Sequence, residues 1–96
     1  MTEKRDAYVQ KLKAKMDEWN AEIDKIEVKA DQAEAEAKIE YEKQLADLRA
    51  KRKDVEEKIA ELQQAGDGAW GDLKVGMDSA LDSLRNAVKS AASRFK

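Results

Sequence analysis

The chain has no cysteine, no histidine and no proline. Without cysteine there is no disulfide framework and no thiol chemistry. Without histidine the commonest metal ligand and the commonest general base at neutral pH are both missing. Without proline nothing forces a helix to break. Glycine is scarce, and its four copies all fall between Gly66 and Gly76. Aromatic residues are also few: two Trp, two Tyr and one Phe in 96 residues. That is little for a compact globule, and the composition fits a long helix or coiled coil better. No apolar run approaches the ~20 residues of a membrane span. The start, Met1-Thr-Glu-Lys-Arg-Asp6, has no apolar stretch behind it and does not read as a signal peptide. A soluble cytoplasmic protein is expected. Neither sign of charge dominates: 19 basic and 21 acidic residues are interleaved, for a net charge of −2. With no basic block or stripe, nucleic acid is not an expected partner.

What the chain does have is charge and period. Charged residues make up 42% of it, a level at which disorder competes with folding. Its apolar residues, however, are strongly periodic, and disordered chains lack that. Between about Glu3 and Gln64 there is neither Gly nor Pro, so this region reads as one helix. At ~1.5 Å per residue it would be a rod of roughly 90 Å, with Thr2 as its N-cap. Glu34 with Lys38, Asp47 with Lys51 and Asp54 with Lys58 are acid-before-base pairs four apart.

The first half of this helix carries a seven-residue beat. Val9, Met16, Ile23, Ala30 and Ala37 form one row, and Leu12, Trp19, Ile26 and Ala33 the other. Together they make the a/d seam of a coiled coil, expected to be the oligomer interface. Past Ala37 the phase slips by one residue. The stripe resumes at Tyr41, Leu45, Leu48, Val55, Ile59 and Leu62, with Arg52 interrupting it.

Ala65-Gly66-Asp67-Gly68 reads as a turn, with Gly66 in the left-handed position that ends a helix and Asp67 as the next N-cap. A second helix follows over residues 69–96, and it repeats every eleven residues. Ala69, Ala80 and Ala91 match; so do Trp70, Leu81 and Ala92, and Leu73, Leu84 and Phe95. Lys74, Arg85 and Lys96 match, as do Met77 with Val88, Ser79 with Ser90 and Gly76 with Ala87. An eleven-residue beat suits a nearly straight helix, or one lying on a surface. Folded back, this helix reaches residues 38–41, where the heptad slips. The reading is therefore an all-α chain in which residues 1–64 form a long coiled-coil helix. Its 5–37 portion is the heptad seam and its 38–64 portion the arm of an antiparallel hairpin. Residues 65–68 are the turn and 69–96 the second arm. The hairpin core is expected to hold Tyr41, Leu45, Leu48, Val55, Ile59, Leu62, Trp70, Leu73, Met77, Leu81, Leu84, Val88 and Phe95. The short arm cannot satisfy the whole seam, so the expected partner is a second copy, most simply in a homodimer.

No catalytic constellation, metal site or cofactor site is expected. Ser79, Ser83, Ser90 and Ser93 lack a base, and the numerous carboxylates read as a solvated helix face. The run Gly66-Asp-Gly-Ala-Trp-Gly71 lacks the ending of a phosphate loop, and Asp67 lacks the spacing of a calcium loop. Trp19 lies on the seam and reads as core. Trp70 reads as packing against Leu62 or Ile59, or alternatively as an anchor at a membrane interface. On that second reading the amphipathic tail lies on lipid through Trp70, Leu73, Met77, Leu81, Leu84, Val88 and Phe95.

The segment from Lys4 to Ile23, with Tyr8, Leu12 and Trp19, resembles the start of a family of small bacterial coiled-coil proteins. So do Ala69-Trp70-Gly-Asp-Leu73-Lys-Val-Gly76 and the ending Ala91-Ala-Ser-Arg-Phe-Lys96. The resemblance implies a cytoplasmic, stress-associated protein without enzymatic activity, and it carries over no functional site. The tail also resembles apolipoprotein-like helices, through its repeat period alone. The function expected is that of a homo-oligomeric structural or interaction protein, with peripheral lipid binding as the alternative.

Overall fold

A computed structural model describes residues 3–94. The expected N-cap Thr2, the expected core residue Phe95 and the repeat position Lys96 lie outside the described residues. The described residues form three α-helices and no strand: α1 (Glu3–Gln32), α2 (Ala35–Gln64) and α3 (Asp67–Arg94). They pack side by side into a body of 50 × 18 × 18 Å. Helices of about 30 residues are ~45 Å long, so this is one helix length, not the longer rod.

The single helix expected over residues 1–64 is therefore corrected. The chain reverses at Ala33 and Glu34, and α1 folds back instead of projecting as a coiled coil over residues 5–37. The Ala33 N–H donates to the Ala30 carbonyl at 3.2 Å, a tightened last turn. Glu34 then adopts an extended backbone (φ −71°, ψ 161°), and its side chain makes no capping bond. The Lys38 N–H donates to the Glu34 carbonyl at 2.8 Å and starts α2. Gln, Ala and Glu all favour helix interiors, so local preference is silent about this turn and packing decides it.

Side-chain contacts between the helices fix their directions. Arg49 of α2 donates to Glu27 of α1 (3.2 Å) and Arg52 to Asn20 (3.4 Å), so α1 and α2 run oppositely. Arg94 of α3 donates to Glu40 of α2 (3.3 Å), and Lys58 lies beside Gly76, so α2 and α3 also run oppositely. Arg5 pairs with Asp67 and Tyr8 with Asp78, so α1 and α3 run the same way.

The second connection is also tighter than expected. Only Ala65 and Gly66 separate α2 from α3, and Asp67 is already helical. No described residue has a positive φ, so Gly66 is not the left-handed cap that its identity suggested. Ala65 takes the cap instead, with φ −74° and ψ 142°, and its N–H donates to the Leu62 carbonyl.

The core runs the length of the three helices. Of the expected oligomer seam, Val9, Leu12, Met16, Ile23, Ile26 and Ala30 are buried by the chain's own helices. Trp19 and Ala33 are half-buried and Ala37 is exposed. These residues thus serve the inside of one chain, which corrects their assignment as a surface open to a second chain. Of the expected hairpin core, Leu45, Leu48, Val55, Ile59, Leu62, Met77, Leu84 and Val88 are buried, and Tyr41, Trp70, Leu73 and Leu81 pack against them partly buried. Ala80 and Ala91 join the core as well.

The eleven-residue repeat carries burial with it. Met77 and Val88 are both buried; Trp70, Leu81 and Ala92 are all half-buried; Lys74 and Arg85 are exposed, as are Ser79 and Ser90. The exceptions are Ala69, exposed where Ala80 and Ala91 are buried, and Leu73, half-buried where Leu84 is buried. In α2 the stripe from Tyr41 to Leu62 alternates steps of four and three, with Arg52 half-buried in a seam position. The slip near residues 37–41 marks where α2 sets its own inward face after the reversal.

Candidate functional site

A cluster of polar and aromatic contacts lies where the N-terminal parts of α1 and α3 meet. The ring edge of Tyr8 packs on Trp70, with centroids 5.4 Å apart at 68°. Arg5 lies 5.1 Å over the Trp70 ring and also pairs with Asp67 at 2.8 Å. Lys74 lies 5.2 Å over the Tyr8 ring. The Tyr8 hydroxyl donates to Asp78 Oδ1 at 2.6 Å. Each element follows from helix geometry. Tyr8 precedes the seam residue Val9, so its ring leaves the core edge toward α3. Trp70, Lys74 and Asp78 are four apart and share one face of α3, which Tyr8 meets.

The electrostatics favour the neutral phenol. Burial, then the bond to Asp78, then the Asp78 charge hold the Tyr8 hydroxyl well above its ordinary ionisation range. Cation–aromatic contacts of this kind contribute about 0.5–1 kcal/mol each at exposed sites. The Trp70 indole N–H is enclosed without an acceptor. The cluster ties α1 to α3 and closes one end of the bundle. Its carboxylates are occupied by Arg5 and Tyr8, which is a tether and not an arrangement for proton transfer.

A groove of about 250 Å³ continues from the cluster between α1 and α3, lined by Tyr8, Leu12, Trp19 and Leu81 and edged by Lys11, Lys15, Asp78, Asp82 and Arg85. This is the sparsest of the three helix contacts, and it leaves Trp19 half-buried. A second, shallow apolar groove runs along α2 over Ala35, Ile39 and Ala46, flanked by Lys38, Glu42 and Lys43.

Sequence reasoning placed Trp19 in the core of the seam and Trp70 against Leu62 or Ile59; both are half-buried, and the ring of Trp70 meets Tyr8 and Arg5. That reasoning missed Arg5, Tyr8, Lys74 and Asp78 as a group. The available signal was that Tyr8, an aromatic residue in an aromatic-poor chain, sits directly beside a seam position. Among the described residues no group of three or more acidic side chains could hold a metal ion. No helix among them is long and apolar enough to cross a membrane. The face that lipid binding would use is turned inward, since Met77, Leu84 and Val88 are buried. Comparison of the chain with family models, curated proteins and solved structures gives no match.

Proposed function

We propose that this chain is a non-enzymatic structural and interaction protein whose helices associate with a second copy of the chain. The setting is the cytoplasmic stress response implied by its resemblance to small bacterial coiled-coil proteins. One observation carries the reading: large apolar side chains remain outside around the α1–α2 reversal. Ile39 is 61% and Val28 56% exposed, each about one helical turn from the break. Ala35, Ile39 and Ala46 line a strip that a helix of another chain fits. Fully burying such an aliphatic side chain stabilises by about 1.5–3 kcal/mol.

The test is light scattering on size-exclusion fractions across a wide concentration range, for the native chain and for Ile39→Lys. The native chain is expected to form dimers as concentration rises. Ile39→Lys is expected to weaken association about tenfold or more, because it places a charge where an apolar side chain was covered. A native chain that stays monomeric throughout defeats the reading. Trp fluorescence with anionic vesicles addresses the lipid alternative: a blue shift that needs vesicles supports it, and an unchanged spectrum removes it.

A further inference from the structure

We propose that the second copy docks by exchanging α1. The α1–α2 reversal opens, residues 3–64 become one continuous helix, and α1 of each chain takes its place against α2 and α3 of the other. This rests on the self-association reading above but seats the second copy differently. Ile39, two residues from Ala37, faces away from an exchanged partner, so a dimer weakened by Ile39→Lys favours docking on the α2 strip and a dimer unchanged by it favours exchange.

Three observations support the exchange. First, the local sequence does not specify the reversal. The residues around it (Gln32, Ala33, Glu34, Ala35) are helix formers, Glu34 makes no side-chain cap, and no φ is positive. Returning Ala33 and Glu34 to helical angles joins α1 to α2.

Second, the seven-residue beat runs through the break. The row Val9, Met16, Ile23, Ala30 continues to Ala37, and the row Leu12, Trp19, Ile26 continues to Ala33. In the closed chain Ala33 is half-buried and Ala37 exposed, so the end of the beat is only partly covered. In the exchanged dimer, the register set by the Glu27–Arg49 and Asn20–Arg52 pairs carries on through the hinge. It brings Ala37 opposite its own counterpart, where small side chains let two helices close up.

Third, no new complementarity is required. Every contact that α1 makes in the closed chain, from buried Ile23 to the Glu27–Arg49 pair, re-forms between copies. The difference in free energy reduces to helix continuity gained at the hinge against the entropy of association, so the balance depends on concentration.

The cysteine-free sequence makes the test direct. Glu18 and Glu56 are exposed and sit across from each other in the α1–α2 register. The double variant Glu18→Cys/Glu56→Cys is spin-labelled and mixed with excess unlabelled chain, so that pulsed EPR reads distances within one chain. The closed chain gives about 10–20 Å, one interhelical spacing plus the label arms. The open chain puts 38 helical residues between the labels, about 57 Å. A long-distance population is expected to grow in step with the dimer seen by light scattering. Ala35→Pro supplies the second arm. Proline fits the first position of α2 after an extended Glu34, but not the interior of a continuous helix. It is expected to remove the long distance and raise the dimer Kd about 10⁴-fold, the proline penalty counted once per chain. Dimers that show only the short distance, or an unchanged Kd in Ala35→Pro, refute exchange and leave self-association standing. A chain monomeric at every concentration refutes both.

Discussion

Replacing Ile23 by Ala tests whether α1 belongs to the core of its own chain. Ile23 is fully buried, with no accessible surface. The substitution removes three carbons, worth about 2.4 kcal/mol at ~0.8 kcal/mol each. The cavity left between three close-packed helices adds to this, for a total of about 3.5 kcal/mol. Unfolding entropy of about 2.1 cal/mol/K per residue over the described length makes each kcal/mol worth about 5 °C. The midpoint should therefore fall by about 15–20 °C. The assay is thermal melting followed by far-UV circular dichroism, at a concentration where the chain is monomeric. Val28→Ala is the matched control: on the same helix but 56% exposed, it should cost less than about 0.5 kcal/mol. If Ile23→Ala costs under 1 kcal/mol, or no more than Val28→Ala, then α1 does not pack on α2 and α3. A midpoint that rises with protein concentration in this regime would instead restore the intermolecular seam.

Two further outcomes follow from the polar contacts. Tyr8→Phe removes the bond to Asp78 and should cost about 1 kcal/mol at neutral pH. The folded Tyr8 holds its proton above the ordinary value of 10.0, so native stability should decline as pH rises from there, where only the unfolded tyrosine ionises. Urea titrations between pH 8 and 11 should show a shallower decline in Tyr8→Phe, and parallel curves would contradict the phenol's placement. Arg52→Leu fills the one charged seam position of α2 and should stabilise by about 0.5–1.5 kcal/mol, the gain limited because the arginine stem already covers part of the site. It should raise the urea midpoint without changing the slope; a lower midpoint would mean that the bond to Asn20 outweighs apolar burial.

The residues facing inward were legible because period alone selects them. From Val9 to Ala30 and from Tyr41 to Leu62, steps of three and four name the buried side chains almost without error. The reversal at Ala33 and Glu34 was not legible. A turn is usually announced by Gly, Pro, Asn or Asp, and here the chain turns on Ala and Glu. The one trace was the phase slip near residues 37–41, which read as an unwound coil but records a change of inward face. Ala80 and Ala91 escaped the expected core because alanine carries little hydrophobic signal, although the eleven-residue spacing linked them. The cluster at Tyr8 and Trp70 was hidden for another reason. Arg5, Lys74 and Asp78 look like any solvated charges until two helices that are distant in sequence are laid in the same direction.

The eleven-residue beat of α3 makes length a stepwise quantity. Three turns of eleven residues return the helix to almost the same angular position, about 16.5 Å further along. A segment of that size can be added or removed without rotating the rest of the stripe out of the core. Because burial repeats with the beat, Met77 as Val88 and Trp70 as Leu81, the added segment would arrive already fitted on its inner face. Neighbouring helices would have to grow by the same rise to keep their ends level. In α3 a change of length by whole repeats therefore keeps the inward face, whereas a change by single residues turns it out of the core.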